Sequence, residues 1–143
     1  MTFNVISRPV IISTNKALNK SKVVKGDTIL IKLRVGGDTT GATVKFTGRL
    51  RDDPFKTVVI QKSSAVSSQI LVEQTGLTLF SDITLQIAKN DTAVLDPLTV
   101  IEYDFEISDD VSYGGTSGTE VTISPASFTL AQGSFVLIDQ ITI

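Results

Sequence analysis

The sequence predicts an all-β chain, folded as an antiparallel sandwich or a small barrel. Short apolar stretches recur about every ten residues, hydrophobic and polar side chains alternate within them, and Gly, Pro, Asn, Asp or Ser separates one from the next. The 143 residues suit a single domain, which at this size buries roughly two-thirds of the surface its unfolded chain exposes. No internal repeat or linker divides the chain.

Residues 3–12 read as a first strand, and Pro9, with no N–H to donate, suits an edge or a bulge. The basic STNKALNKSK that follows reads as a loop, or as an arm that orders on a partner. Residues 1–22 are therefore set apart, as strand plus arm, from a sandwich domain over residues 23–143. After a turn at Lys25-Gly26-Asp27, residues 28–35 alternate with Ile29, Ile31, Leu33 and Val35 inward and Lys32 and Arg34 outward. In TGATVKFTGRLRDD, residues 40–53, Ala42, Val44, Phe46 and Leu50 share one face, and Thr43, Lys45, Thr47, Arg49 and Arg51 the other. That pattern is a half-buried antiparallel strand.

Asp52-Asp53-Pro54 turns into a strand over 57–62, SSAVSS makes a loop, and residues 69–74 form a strand that stops at Thr75-Gly76. Residues 79–87 place Ile83, Leu85 and Ile87 together. NDTAVL starts with an N-cap residue, Asn90, and lacks a β pattern, which predicts one helical turn before Pro97. Over 99–107, Ile101, Tyr103, Phe105 and Ile107 face inward and Glu102, Asp104 and Glu106 outward. A Gly/Ser-rich loop over 108–118 then leads to strands at 120–124, 127–130 and 134–143, the last expected to pack rather than trail. Phe46, Tyr103 and Phe105 are the expected aromatic core.

Composition narrows function more than any motif does. The chain has neither His nor Cys, which removes Ser-His-Asp and Cys-His nucleophile systems, His or thiolate zinc sites, a histidine general base and disulfides. Glu102, Asp104 and Glu106 could pair for glycoside hydrolysis, but that chemistry needs an aromatic-lined cleft, and the chain has no Trp and two Tyr. Asp52-Asp53 and Asp109-Asp110 could offer oxygens to a hard cation, yet acidic pairs at strand ends chiefly serve turns. The expectation is a protein without catalytic residues, metal or cofactor. Its N-terminal segment, interrupted by Asn4, Ser7, Arg8 and Pro9, reads as neither signal peptide nor membrane span.

Charge is unevenly spread. Residues 1–62 hold 12 Lys/Arg against 4 Asp/Glu, a net of +8, and residues 63–143 hold 1 against 11, a net of −10. Two outcomes follow: cross-strand pairing cancels the charges inside one domain, or two faces of opposite sign attract neighbouring molecules. Lys32, Arg34, Arg49 and Arg51 are expected to share one sheet's outer face. The candidate partner-contact residues are Lys16, Lys20, Lys22 and Lys25 of the basic stretch, Arg49 and Arg51, and the acidic Glu102, Asp104 and Glu106. With no aromatics interleaved among the lysines, a protein partner fits that stretch better than nucleic acid.

Four segments taken in order carry a resemblance: GDTILIKLRV, TGATVKFTGRLRDD, DITLQIAKNDTAVLDP running into IEYDFEISDD, and FTLAQGSFVLIDQIT. Together they resemble the immunoglobulin-like domain of bacteriophage baseplate upper proteins and related head-fibre and tail proteins, over roughly residues 24–142. The chain departs from that pattern at Asp96-Pro97-Leu98-Thr99-Val100, where the family has a tight Gly, and in a longer VSYGGTSG loop. The resemblance implies a single immunoglobulin-like antiparallel sandwich of about nine strands and a structural role in a tailed-phage virion, as a head decoration or adaptor. Its partners would then be capsid, portal-vertex or tail proteins, or further copies in a symmetric array, with no membrane or nucleic acid involved. A baseplate or tail component, or a carbohydrate- or receptor-binding sandwich, is the alternative.

Overall fold

The computed structural model describes residues 4–13, 22–36, 39, 42–74, 80–109 and 127–139. In chain order these form β1 (Asn4–Ser13), β2 (Lys22–Val24), β3 (Ile29–Gly36), β4 (Ala42–Leu50), β5 (Val58–Ser63), β6 (Ile70–Gln74), β7 (Phe80–Ile87), α1 (Lys89–Ala93), β8 (Val100–Asp109) and β9 (Ser127–Ile138). One sheet has the order β1-β3-β7-β6 and the other β2-β9-β8-β4-β5. In immunoglobulin lettering the first is A-B-E-D and the second is G-F-C with C′ (β5) added at one edge and the short β2 at the other, so the chain is an immunoglobulin-like sandwich. Its pairing is antiparallel throughout except that the short β2 runs parallel to the end of β9, from Lys22↔Val136 to Val24↔Ile138. That strand falls where the sequence predicts the end of a loop: three residues are too few to show a period.

Alternation builds the core. Ile29, Ile31, Leu33 and Val35 of β3 and Ile83, Leu85 and Ile87 of β7 are buried against Val44 and Phe46 of β4, Ile101, Tyr103, Phe105 and Ile107 of β8, and Phe135 and Leu137 of β9. The first sheet supplies branched aliphatics and the second the rings. Phe46 packs edge-on to Phe105 with centroids 5.1 Å apart and lies 5.3 Å from Tyr103, which in turn meets Phe135 at 5.9 Å. These separations are in the range where aromatic pairs attract beyond their buried area.

One strand, β9, runs over Ser127–Ile138 where the sequence predicts separate strands at 127–130 and 134–143, and residues 140–143 of the second lie outside the described residues. Gly133 lies opposite Tyr103 in the ladder, and the irregularity falls between Phe105 and Glu106. Ser108 and Asp109 belong to β8 rather than to the following loop, and the strand predicted at 120–124 lies outside the described residues. The helical turn forms two residues earlier than an Asn90 N-cap predicts, over Lys89–Ala93. Ala88 is its N-cap, and Asp91 accepts the Ala88 N–H at 2.8 Å. Thr92, fully buried, accepts the Gly26 N–H at 2.9 Å and so fastens α1 to the β2–β3 turn. Lys62, opposite Phe46 and therefore aimed between the sheets, reaches Asp91 at 2.7 Å and closes the sandwich edge between β5 and α1.

Candidate functional site

The charged stripes that lie half a chain apart in sequence sit side by side in the fold. β4 and β8 pair in register, setting Lys45 opposite Glu106, Thr47 opposite Asp104 and Arg49 opposite Glu102. Arg49 Nη1 is 3.5 Å from Asp104 Oδ2, and Lys56 Nζ is 3.7 Å from Glu102 Oε2. Glu106 accepts the Ser127 hydroxyl at 2.5 Å, and Arg51, just beyond β4, reaches Asp52 at 3.1 Å. Arg49, Glu102 and Asp104, with Gln132 and Ser134, line a shallow groove of about 330 Å³ on this face.

Lys32 and Arg34 do not join them. Alternation assigns a residue to a face but not to a layer, and β3 and β4, though consecutive, belong to different sheets. On the other face Arg34 forks onto Asp82 at 2.7 and 3.1 Å and lies 4.1 Å over the Phe80 ring. This geometry holds the Asp82 carboxyl below its ordinary value.

Four of the five ion pairs among the described residues (Arg34–Asp82, Arg49–Asp104, Lys56–Glu102 and Lys62–Asp91) join a cation from residues 1–62 to a carboxylate from residues 63–143. For these residues the charge split is cancelled within the molecule. Each exposed pair contributes only about 0–1 kcal/mol, so their main effect is to leave the sheet faces without a dominant sign. Lys22 is exposed on β2, and the Lys25 amide donates to the Ile138 carbonyl at 2.8 Å. Lys16 and Lys20 lie outside the described residues.

A surface of a different kind occupies the end of the sandwich where β4 passes to β5 and β7 to β8. Arg51 N–H bonds the Val100 carbonyl at 3.0 Å, which brings the β4–β5 hairpin beside the turn before β8. The hairpin exposes Phe55 (90%), and the β7–β8 connection exposes Val94 (84%) and Leu98 (75%). Between them runs a groove of about 340 Å³ lined by Leu50, Asp52, Asp53, Pro97, Leu98, Thr99 and Val100.

Both walls are stiff. Asp53 accepts the Phe55 N–H at 3.1 Å, the Thr57 N–H at 3.2 Å and the Thr57 hydroxyl. The Lys56 N–H bonds the Asp53 carbonyl at 3.0 Å. Across the groove, Leu98 N–H donates to the Leu137 carbonyl at 2.7 Å and Leu137 N–H returns to Thr99 at 2.9 Å. Lys56 and Leu98 hold left-handed backbone, with φ of 49° and 64°, a conformation that costs a residue with a Cβ about 1 kcal/mol or more. Leu98 is thus kept in an unfavourable backbone state with its side chain in water.

The sequence pattern does not single out Phe55, Val94 and Leu98, because an isolated apolar residue among turn formers carries no period. The signal present is a departure from polar turn chemistry: Phe after Asp-Asp-Pro, and Leu after Asp-Pro.

The hairpin gives a pH test. The Thr57 hydroxyl, followed by the Phe55 and Thr57 amides and the Lys56 charge, holds the Asp53 carboxyl below its ordinary value of 3.8. A depressed folded pKa means that this stabilisation is complete at neutral pH and is lost as pH falls below about 4 and through the folded value. Asp82 adds to the same acid limb. Thermal melts across an acid series should show Tm falling below about pH 4, and Asp53→Asn should flatten that fall while lowering Tm at pH 7. An unchanged acid limb in the variant would mean that the Asp53 contacts do not form.

No family model and no curated protein matches the chain. Among solved structures it is similar to AggA, the major subunit of aggregative adherence fimbriae type I from Escherichia coli. The identity is 9% and the TM-score 0.37, over 98% of this chain and 97% of that one. At that level no residue of one chain maps onto the other.

Proposed function

We propose that this chain is a structural, non-catalytic protein of a tailed-bacteriophage virion, decorating the head or joining virion parts through protein–protein contacts. The observation that carries the contact role is the end of the sandwich bearing Phe55, Val94 and Leu98, apolar side chains held in water on clamped backbone. Phe55 and Leu98 are the most exposed large apolar side chains of the hairpin and the turn that wall one groove, and apolar side chains gathered at an exposed groove mark an interaction site. The virion assignment is supported by the resemblance. Its four segments fall on β3, on β4, on β7 through α1 to β8, and on β9, the strands that carry most of the core of both sheets. A chain lacking His and Cys suits a role that asks for shape and copy number rather than reactive groups. The partners are capsid, portal-vertex or tail proteins in a symmetric array.

Particles of the encoding phage, banded by density and analysed by mass spectrometry, should contain the protein in many copies, and antibody labelling in electron micrographs should place it on head or tail. Its presence in the lysate but not in washed, intact particles would overturn the assignment.

A further inference from the structure

We infer that the apolar end of the sandwich pairs with the same end of a second copy, each Phe55 ring seated in the groove of the other. The inference shares with the proposed function only the premise that this end is a contact surface, and it commits to the partner.

The end carries both halves of a self-complementary joint. Phe55 projects from the hairpin tip, almost fully in water. The groove beside it is lined by the apolar Leu50, Pro97, Leu98 and Val100 together with the polar Asp52, Asp53 and Thr99. A two-fold interface needs this arrangement: residue i of one copy meets residue j of the other, and j meets i. Knob and groove on one surface let a single rotation satisfy both.

Charge around the groove points the same way. Arg51 and Lys56 lie within the same few residues as Asp52, and Glu102 is in reach of Lys56. A rim of mixed sign opposes a strongly acidic or strongly basic partner with like charges over part of its area. A second copy brings the same mixture, and rotation can set the cations of one rim against the carboxylates of the other.

Preorganisation adds to this. The Asp53 contacts fix the hairpin, and the paired bonds between Leu98, Thr99 and Leu137 fix the opposite wall, so little loop ordering is left to oppose association. Phe55, Leu98 and Val94 together bury less than the roughly 800 Å² per partner of a standard interface. The dimer is therefore weak in solution and gains from the high local concentration of an array.

The test is sedimentation equilibrium of the full chain from about 1 µM to about 1 mM. The wild-type weight-average mass should rise from one chain toward two and level off there. Phe55→Ser should abolish the rise while leaving Tm unchanged, since the ring makes no core contact. Leu98→Asn, whose side chain tolerates left-handed backbone, should weaken association at least tenfold without loss of stability. A mass fixed at one chain up to the highest concentration would overturn the inference, as would unaltered association of Phe55→Ser. Growth past two chains without a plateau would also overturn it, because that outcome is head-to-tail assembly. A single chain in solution that is nonetheless found on virions would remove the pairing and leave the proposed function standing. A dimer absent from virions would do the reverse.

Discussion

Truncating Phe105 to Ala is expected to cost about 3–5 kcal/mol, and Phe46 to Ala about the same. Both rings are fully buried and they meet edge-on at 5.1 Å. Each also touches Tyr103, at 6.0 Å from Phe105 and 5.3 Å from Phe46. Removing either therefore forfeits its buried area and two ring contacts worth about 0.5–1.5 kcal/mol each. The cavity would stay open. Its walls are strands β4 and β8, in register over nine residue pairs from Ala42↔Asp109 to Leu50↔Ile101, and such a ladder cannot collapse into the space without breaking its own hydrogen bonds. Against a total stability of about 5–15 kcal/mol, either variant should show a large drop in urea midpoint with little change in m-value. A loss below about 1 kcal/mol would mean that the aromatic cluster repacks, contrary to the close packing expected of a core. The double variant should cost less than the sum of the singles, because the Phe46–Phe105 contact is lost only once.

How far the fold could be read from the sequence depends on which physical signal each residue carries. Alternation places Ile29, Ile31, Leu33 and Val35, and again Ile101, Tyr103, Phe105 and Ile107, on the buried face, since a strand's side chains can point only two ways. The same rule is silent on layer membership, and for that reason Lys32 and Arg34 fall on a different sheet from Arg49. Pairing partners are long-range facts: that Arg49 meets Asp104 and Lys62 meets Asp91 follows from β4 lying beside β8 and β5 beside α1, not from anything local. The helical turn is legible from NDTAVL because β propensity is absent there, but its start shifts because Asp91 caps from inside the helix. β2 escapes because three residues of parallel pairing leave no pattern. Phe55 and Leu98 escape for another reason. Each stands out only once the structure shows it in water, since an apolar residue in sequence is ordinarily a core residue.

Gly133→Ala should destabilise the protein by about 1–3 kcal/mol, although Gly inside a strand ordinarily costs about 0.5–1 kcal/mol relative to Ala and the substitution would elsewhere be a gain. The sign reverses because of Tyr103. A Cβ on Gly133 would lie 2.5 Å from the Tyr103 Oη, 2.6 Å from Cζ and 3.1 Å from Cε1. The ring cannot swing clear: Tyr103 is 8% exposed and is flanked by Phe46 and Phe135, and the same burial pushes its hydroxyl pKa up. Either the ring moves into Phe46 and Phe135 or β9 bends away from β8, and both disturb the central ladder of the sheet. Gly48, also on the core face, is less confined, with its nearest contact at 3.0 Å to the Ile101 methyl. Gly48→Ala should accordingly be the milder change. The cause can be isolated by a pair of backgrounds. Tyr103→Phe removes the hydroxyl but leaves Cζ at clashing distance, so Gly133→Ala should cost nearly as much in it as in the wild type. Tyr103→Leu removes both atoms, and there the cost of Gly133→Ala should shrink by about 1 kcal/mol or more, the size expected for residues in direct contact. Equal costs of Gly133→Ala in the wild-type and Tyr103→Leu backgrounds would show that the ring does not clamp this glycine and that its place in β9 answers to the backbone alone.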